Sequence, residues 1–345
     1  MIIMIKYPLL LLFTVHIASY RKNEKVEVLS RNKEIKKNIE TYLDTYGKKK
    51  ISNLIFSYQI FLYLIMNNFN KNKYDSELTE IKINDSESVH IEFIKNESYN
   101  KKDNNKLIVY SPGLLESYRD IIIENLLNRF SDSGYNVCIF WKYGMKDKTK
   151  KSLTMLGNIE HYNKAMEYIL DKDYQNIYLM GLSAGNFNII KYIISDNLDT
   201  RIKGAAIISS ILNADKYGKE MPKFWKRYFR NKLTKQWKIS YDKNINYDNY
   251  YDYIKKTHVK DDDDLRDLSN KLNDIKIPTL FLNSKDDPIV KNDFSSIKTD
   301  KIIKVETNLG GHGTFVRFEN FRYKFSLFNY ELSNEFFKKI NQNNK

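Results

Sequence analysis

The sequence predicts an α/β fold, a mostly parallel sheet covered by helices on both faces. Three observations predict it. From about residue 77, short apolar runs of strand length alternate with segments of helical period, and such alternation implies parallel strands joined by crossover helices. One of these runs, Asn176–Met180, leads straight into Gly181-Leu182-Ser183-Ala184-Gly185 and then a helical pattern. Another is followed at once by a glycine-rich loop that carries a histidine, Gly310-Gly311-His312-Gly313.

The elements follow in order. Glu80–Ile83 and Val89–Ile94 alternate apolar and polar residues around a turn at Asn84-Asp85-Ser86, which reads as a strand pair. Leu107–Tyr110 is a short apolar strand entering Ser111-Pro112-Gly113, and a helix covers roughly Asp120–Phe130. Strand Asn136–Trp141, helix Asn158–Leu170, strand Asn176–Met180, helix Ala184–Ile194 and strand Gly204–Ser209 continue the alternation. It breaks between Asn213 and Asn270, a polar stretch rich in aromatics, and resumes with strands Pro278–Asn283 and Lys301–Val305. A helix over Leu332–Ile340 closes the chain.

The region before residue 77 is of another kind. Residues 1–19 hold one charge, Lys6, around the run Leu9-Leu10-Leu11-Leu12-Phe13. That run is shorter than the roughly 20 residues of a spanning helix and suits the apolar region of a signal peptide; an uncleaved membrane anchor is the second reading. The expected localisation is the secretory pathway or a membrane. Residues 20–50 are polar and basic, read as a linker or exposed helix. Between Ile51 and Met66 a helix is expected that is apolar nearly all round, with Leu54, Tyr58, Phe61, Leu62 and Ile65 on one face. The domain plan is therefore a signal or anchor over 1–19, a basic linker and apolar helix over 20–76, and a catalytic domain over 77–345 with an insert at about 213–270.

Composition bounds the rest. The 345 residues are 42% hydrophobic and 14% aromatic, which supplies a core. Glycine is scarce at 12 residues, so glycines clustered round one serine and one histidine stand out. A net charge of +14 favours anionic surfaces. Cys138 is the one cysteine, so no internal disulfide can form; it sits in an apolar run and reads as core. Nothing in the sequence calls for a cofactor or a metal. The run Asp261-Asp262-Asp263-Asp264 lacks the alternating ligands and glycine of a calcium loop. Sequons at Asn84 and Asn96 would carry glycans only in a eukaryotic secretory route.

The chemistry is concentrated in three loops. A serine on a sharp strand-to-helix turn needs neighbours without side chains, and Gly181 and Gly185 provide that space around Ser183. A serine hydroxyl needs a base to take its proton and an acid to orient the base. His312 is the candidate base; the other downstream histidine, His258, lies among lysines in the insert. The strand before it ends in Lys285-Asp286-Asp287-Pro288, where Asp287 is the chosen acid, Asp286 the reserve, and the other aspartate is expected to cap the turn. The oxyanion hole is assigned to the N–H groups of Ala184 and Leu114.

Together these residues resemble the α/β-hydrolase superfamily over roughly Glu77–Lys345, and most closely its YheT-like, membrane-associated branch. The branch's elbow with asparagine close behind is matched by Asn186 and Asn188, its acid loop by Asp286-Asp287-Pro288, and its histidine loop by Gly310-Gly311-His312 with Phe315. The resemblance implies an ester hydrolase acting on lipid or acyl esters. Three places depart from it. Pro112-Gly113 stands where His-Gly is usual, Glu116 replaces a glycine, and Trp141-Lys142-Tyr143-Gly144 replaces the Arg-Gly turn after the fourth strand.

Between Tyr217 and Tyr253, Phe224, Trp225, Tyr228, Phe229 and Trp237 are interleaved with lysines and arginines. Aromatics with a basic fringe suit a membrane interface, so a lid that admits acyl chains is one expectation and an ordinary cap the other. No nucleic-acid module is recognisable, so contact with a membrane surface is expected and nucleic acid is not. Two readings share the fold with an active hydrolase. One is a silent lipid-binding or interaction protein; the other is an acyltransferase using the same three residues.

Overall fold

A computed structural model of the chain describes residues 26–47, 52–53, 75–95, 105–114, 121–146, 154–213, 267–290, 294–313, 315–319 and 324–343, with single residues at 216, 223, 226, 227 and 231. The signal or anchor segment, nearly all of the apolar helix at 51–66, most of the 213–270 insert, the Asp261–Asp264 run and the Asn96 sequon lie outside the described residues. Among the described residues, no helix is long and apolar enough to cross a membrane.

The main sheet is built from β1 (Glu27–Ser30), β3 (Asp75–Lys82), β4 (Ser88–Lys95), β5 (Lys106–Ser111), β6 (Asn136–Trp141), β7 (Asn176–Leu182), β8 (Ile202–Ile208), β9 (Thr279–Ser284) and β10 (Ile302–Thr307). Its order is β3-β4-β6-β5-β7-β8-β9-β10-β1. Every pairing from β6 across to β10 is parallel. The β3–β4 hairpin joins one side antiparallel, and β1 joins the other side antiparallel. An antiparallel hairpin leading into a parallel run whose first two members are exchanged is the α/β-hydrolase fold, as the sequence predicts. A small antiparallel sheet of β2 (Ser52–Asn53), β11 (Val316–Glu319) and β12 (Lys324–Leu327) was not read from the sequence, and it corrects the start of the helix expected over 51–66, where Ser52 and Asn53 pair with β11 instead.

Alternation along each strand divides the core into two layers. Ile108, Tyr110, Tyr178, Met180, Leu280 and Leu282 face one side, with helices α1 (Lys33–Gly47), α2 (Ile121–Asp132) and α5 (Phe328–Asn343). Leu107, Val109, Ile177, Leu179 and Phe281 face the other, with α3 (Ile159–Leu170) and α4 (Asn186–Ile193). The Asn158 side chain accepts from the His161 N–H at 3.1 Å and caps α3. Cys138 is fully buried in the second layer, and burial pushes its thiol pKa up, so it remains a thiol.

Residues 27–47 correct the reading of 20–50 as a linker or exposed helix, since the helix is present but its apolar side is buried. They supply β1, paired with β10, and α1, docked against α5. Lysines dominate the composition, but Ile35, Ile39, Tyr42 and Leu43 recur at helical spacing and pack on the core beside Val28. The Asn32 side chain caps α1 by accepting from the Ile35 N–H. Composition hid a stripe that spacing would have found.

Glu331, in the first turn of α5, gives a stability prediction. Burial raises its carboxyl pKa to about 7, and Oε2 has no hydrogen-bond partner among the described residues. Arg129 stands 3.9 Å from Oε1, too distant for a strong ion-paired hydrogen bond, so desolvation prevails over attraction. A pKa raised on folding means that the native state binds the extra proton. Its contribution is fully present below the unfolded value of 4.5 and is lost as pH rises through about 7. Glu331→Gln is therefore expected to equal the native chain in urea stability near pH 4. Near pH 8 it should exceed it by about 1–3 kcal/mol.

Candidate active site

The three loops predicted to carry the chemistry leave the carboxyl ends of β7, β9 and β10, where open parallel sheets place their sites. At the end of β7, Ser183 has φ +51°, a left-handed conformation that strains a residue with a side chain. The tight turn Ser183–Gly185 leads directly into α4. Gly181 and Gly185 are required by crowding. A β-carbon at Gly181 would meet the Asn186 side chain, and one at Gly185 would strike the Ser111 carbonyl oxygen and come within 2.7 Å of the Pro112 carbonyl oxygen. The backbone leaving β5 thus lies directly against the elbow.

Gly185→Ala follows as a prediction, because the obstructing atoms are backbone and cannot rotate away. The substitution should lower unfolding stability by about 1–3 kcal/mol in urea titration and push the Ser111–Gly113 segment off the elbow.

The structure brings Ser183, Asp287 and His312 together. His312 Nε2 lies 2.7 Å from Ser183 Oγ, and Nδ1 lies 2.9 Å from Asp287 Oδ2. A carboxylate only accepts, so Nδ1 donates to Asp287 and the Nε2 lone pair is left to accept from the serine hydroxyl. The Asp287 side chain is 1% exposed and that of His312 13%, so the acid is sealed and the imidazole reaches the surface.

Asp287 has a second task. Its Oδ1 accepts the N–H groups of Ile289 at 2.8 Å and Val290 at 3.0 Å. The acid therefore caps its own turn, which corrects the assignment of that cap to the neighbouring aspartate. Asp286 instead reaches across to the histidine loop, where Oδ1 accepts from Gly310 N–H at 2.9 Å and Gly311 N–H at 2.8 Å. Ser284 Oγ donates to the Gly311 carbonyl at 2.9 Å, and the Asn329 side chain donates to the Gly313 carbonyl at 3.2 Å. Gly311 and Gly313 take φ of +61° and +81°, so the loop turns sharply on both sides of His312. The sequence carried no signal for the contacts made to the histidine loop, since each joins segments well separated along the chain.

Ala184 is buried in the elbow turn. Leu114, partly buried, follows the Ser111–Gly113 segment that crowds Gly185. Asn186 is buried, and its amide donates to the Ile208 carbonyl at 2.8 Å, tying the start of α4 to β8. A further contact, made from the turn Trp141-Lys142-Tyr143-Gly144, escaped the sequence reading. Lys142, just beyond β6, is 2% exposed, and its ammonium donates to the Ala184 carbonyl at 3.3 Å.

No family model matches the chain, and no curated protein matches it. Solved structures align with parts of it. An esterase of Pyrococcus furiosus aligns at 19% identity and a TM-score of 0.41, over 63% of this chain and 74% of its own. The 2,6-dihydroxy-pseudo-oxynicotine hydrolase aligns at 15% identity and a TM-score of 0.49, over 73% and 66%. The esterase domain of a Rhodothermus marinus protein aligns at 12% and 0.45, over 69% and 90%.

Proposed function

We propose that the chain is a serine hydrolase that cleaves carboxylic esters of the acyl or lipid class through an acyl-enzyme. One observation carries the reading: a continuous hydrogen-bonded path from Ser183 Oγ through His312 to the sealed Asp287 carboxylate, with the serine on a strained elbow. Ser183 Oγ attacks the ester carbonyl as its proton passes to His312 Nε2. Asp287 holds the ring and stabilises the imidazolium. The carbonyl oxygen becomes an oxyanion, which the N–H groups of Ala184 and Leu114 receive. Collapse breaks the bond to the alcohol, which leaves with the imidazolium proton. A water then repeats the sequence on the acyl-enzyme and releases the acid.

The lipid side of the proposal is supported by sequence. The net charge is +14, and the stretch between Tyr217 and Tyr253 interleaves aromatics with basic residues. Such a composition suits head-group depth, where rings meet the acyl boundary and amines meet phosphate. Contact with a membrane surface, entry to the secretory pathway or a membrane, and kinship with the YheT-like branch belong to the same proposal.

The test is labelling with a fluorophosphonate probe, followed by peptide mapping. Label on Ser183, and turnover of p-nitrophenyl esters that varies with acyl length, is the expected result. A folded chain that takes no label yet sediments with anionic vesicles would replace the enzyme by a silent lipid-binding protein.

A further inference from the structure

Lys142 sits where the sequence departs from the superfamily's usual turn after the fourth strand. Its side chain is buried beneath the elbow rather than exposed. The ammonium donates to the Met155 carbonyl at 2.7 Å, the Leu156 carbonyl at 3.4 Å and the Ala184 carbonyl at 3.3 Å. It thereby ties together three segments: the end of β6, the loop before α3, and the residue immediately after the nucleophile. Burying an ammonium opposes folding by several kcal/mol unless its surroundings compensate. An apolar residue of similar length would fill the space without that penalty, so packing alone does not account for a charge here.

Its position does. The Ala184 carbonyl and the Ala184 N–H belong to one residue and lie no more than about 4 Å apart by covalent geometry. An oxyanion accepting from that N–H at about 3 Å would be within about 10 Å of the ammonium, across protein rather than water. The same bond restricts rotation of the peptide that follows Ala184. We infer that Lys142 is a positioning residue for the oxyanion side of the reaction, fixing the Ala184–Gly185 peptide next to the one that carries the Ala184 N–H and placing a buried positive charge behind the developing negative one. The inference rests on the serine hydrolase reading above.

The experiment compares Lys142→Met with the unaltered full chain on p-nitrophenyl butyrate. Competent sites are counted by fluorophosphonate titration, so that misfolding lowers the number of sites while a positioning defect lowers the rate at each. The expected result is kcat per titrated site reduced about tenfold, with KM within about twofold, because the charge acts on the transition state and not on ester binding. Should Lys142→Met yield no titratable sites, Lys142→Gln decides by the same ratio, since it keeps a donor for the carbonyl and lacks the charge. A rate per site within about twofold of the unaltered chain, in the variant that titrates, overturns the inference. Failure of the unaltered chain to titrate at Ser183 would instead overturn the hydrolase reading.

Discussion

Alanine at Ser183 or at His312 is expected to lower ester turnover by about four to six orders of magnitude and to abolish fluorophosphonate labelling, with urea stability little changed. In the proposed mechanism the serine variant would lack the atom that forms the covalent bond. The histidine variant retains the hydroxyl but loses the imidazole nitrogen that stands 2.7 Å from it. Because the proposed mechanism has the two act on one proton transfer, the double variant should lose no more than the worse single one. Turnover and labelling of all three variants, with circular dichroism to verify folding, check the expectation. Labelling of Ser183→Ala would show that the probe reports another residue.

Asp287→Asn is expected to reduce kcat by about 10⁴ while the protein stays folded. The asparagine amide can still accept from Ile289 and Val290 through its carbonyl, so the turn survives. Its NH2 group would then face His312 Nδ1 and donate to it. That favours the tautomer with the proton on Nε2, where it opposes deprotonation of the serine. Asp286→Ala should behave differently. It removes the acceptor for Gly310 and Gly311 and loosens the histidine loop, so kcat should fall about 10- to 100-fold and stability by about 1–3 kcal/mol. Steady-state rates and urea midpoints of the two variants, measured side by side, separate an acid that sets a tautomer from one that holds a loop. Equal losses would contradict the division of labour between adjacent carboxylates.

Much of this was legible locally. Strands and helices announce themselves within a few residues, through alternation or helical spacing, and the elements from Asp75 to Thr307 fall close to where periodicity puts them. Ser183 and His312 were visible because scarce glycines gather round them next to strand ends. Residues 27–47 were read too coarsely, because an excess of lysine concealed four apolar side chains at helical spacing.

By itself, then, the sequence determined the order of the main elements from Asp75 to Thr307, the sharp turn at Ser183, the loop at His312 and a choice between two neighbouring aspartates. Only the tertiary structure decided which aspartate meets the imidazole. The parallel register of β9 and β10 sets Ser284 beside Thr307, so the loops that follow leave the sheet side by side. From there Asp287 faces His312, while Asp286 faces the backbone that carries it. Tertiary structure also decided that β1 completes the sheet and that Lys142 lies beneath the elbow. The physical reason is the same in each case. Periodicity and turn chemistry act over a few residues, whereas these contacts join segments brought together only when the strands pair and the core closes.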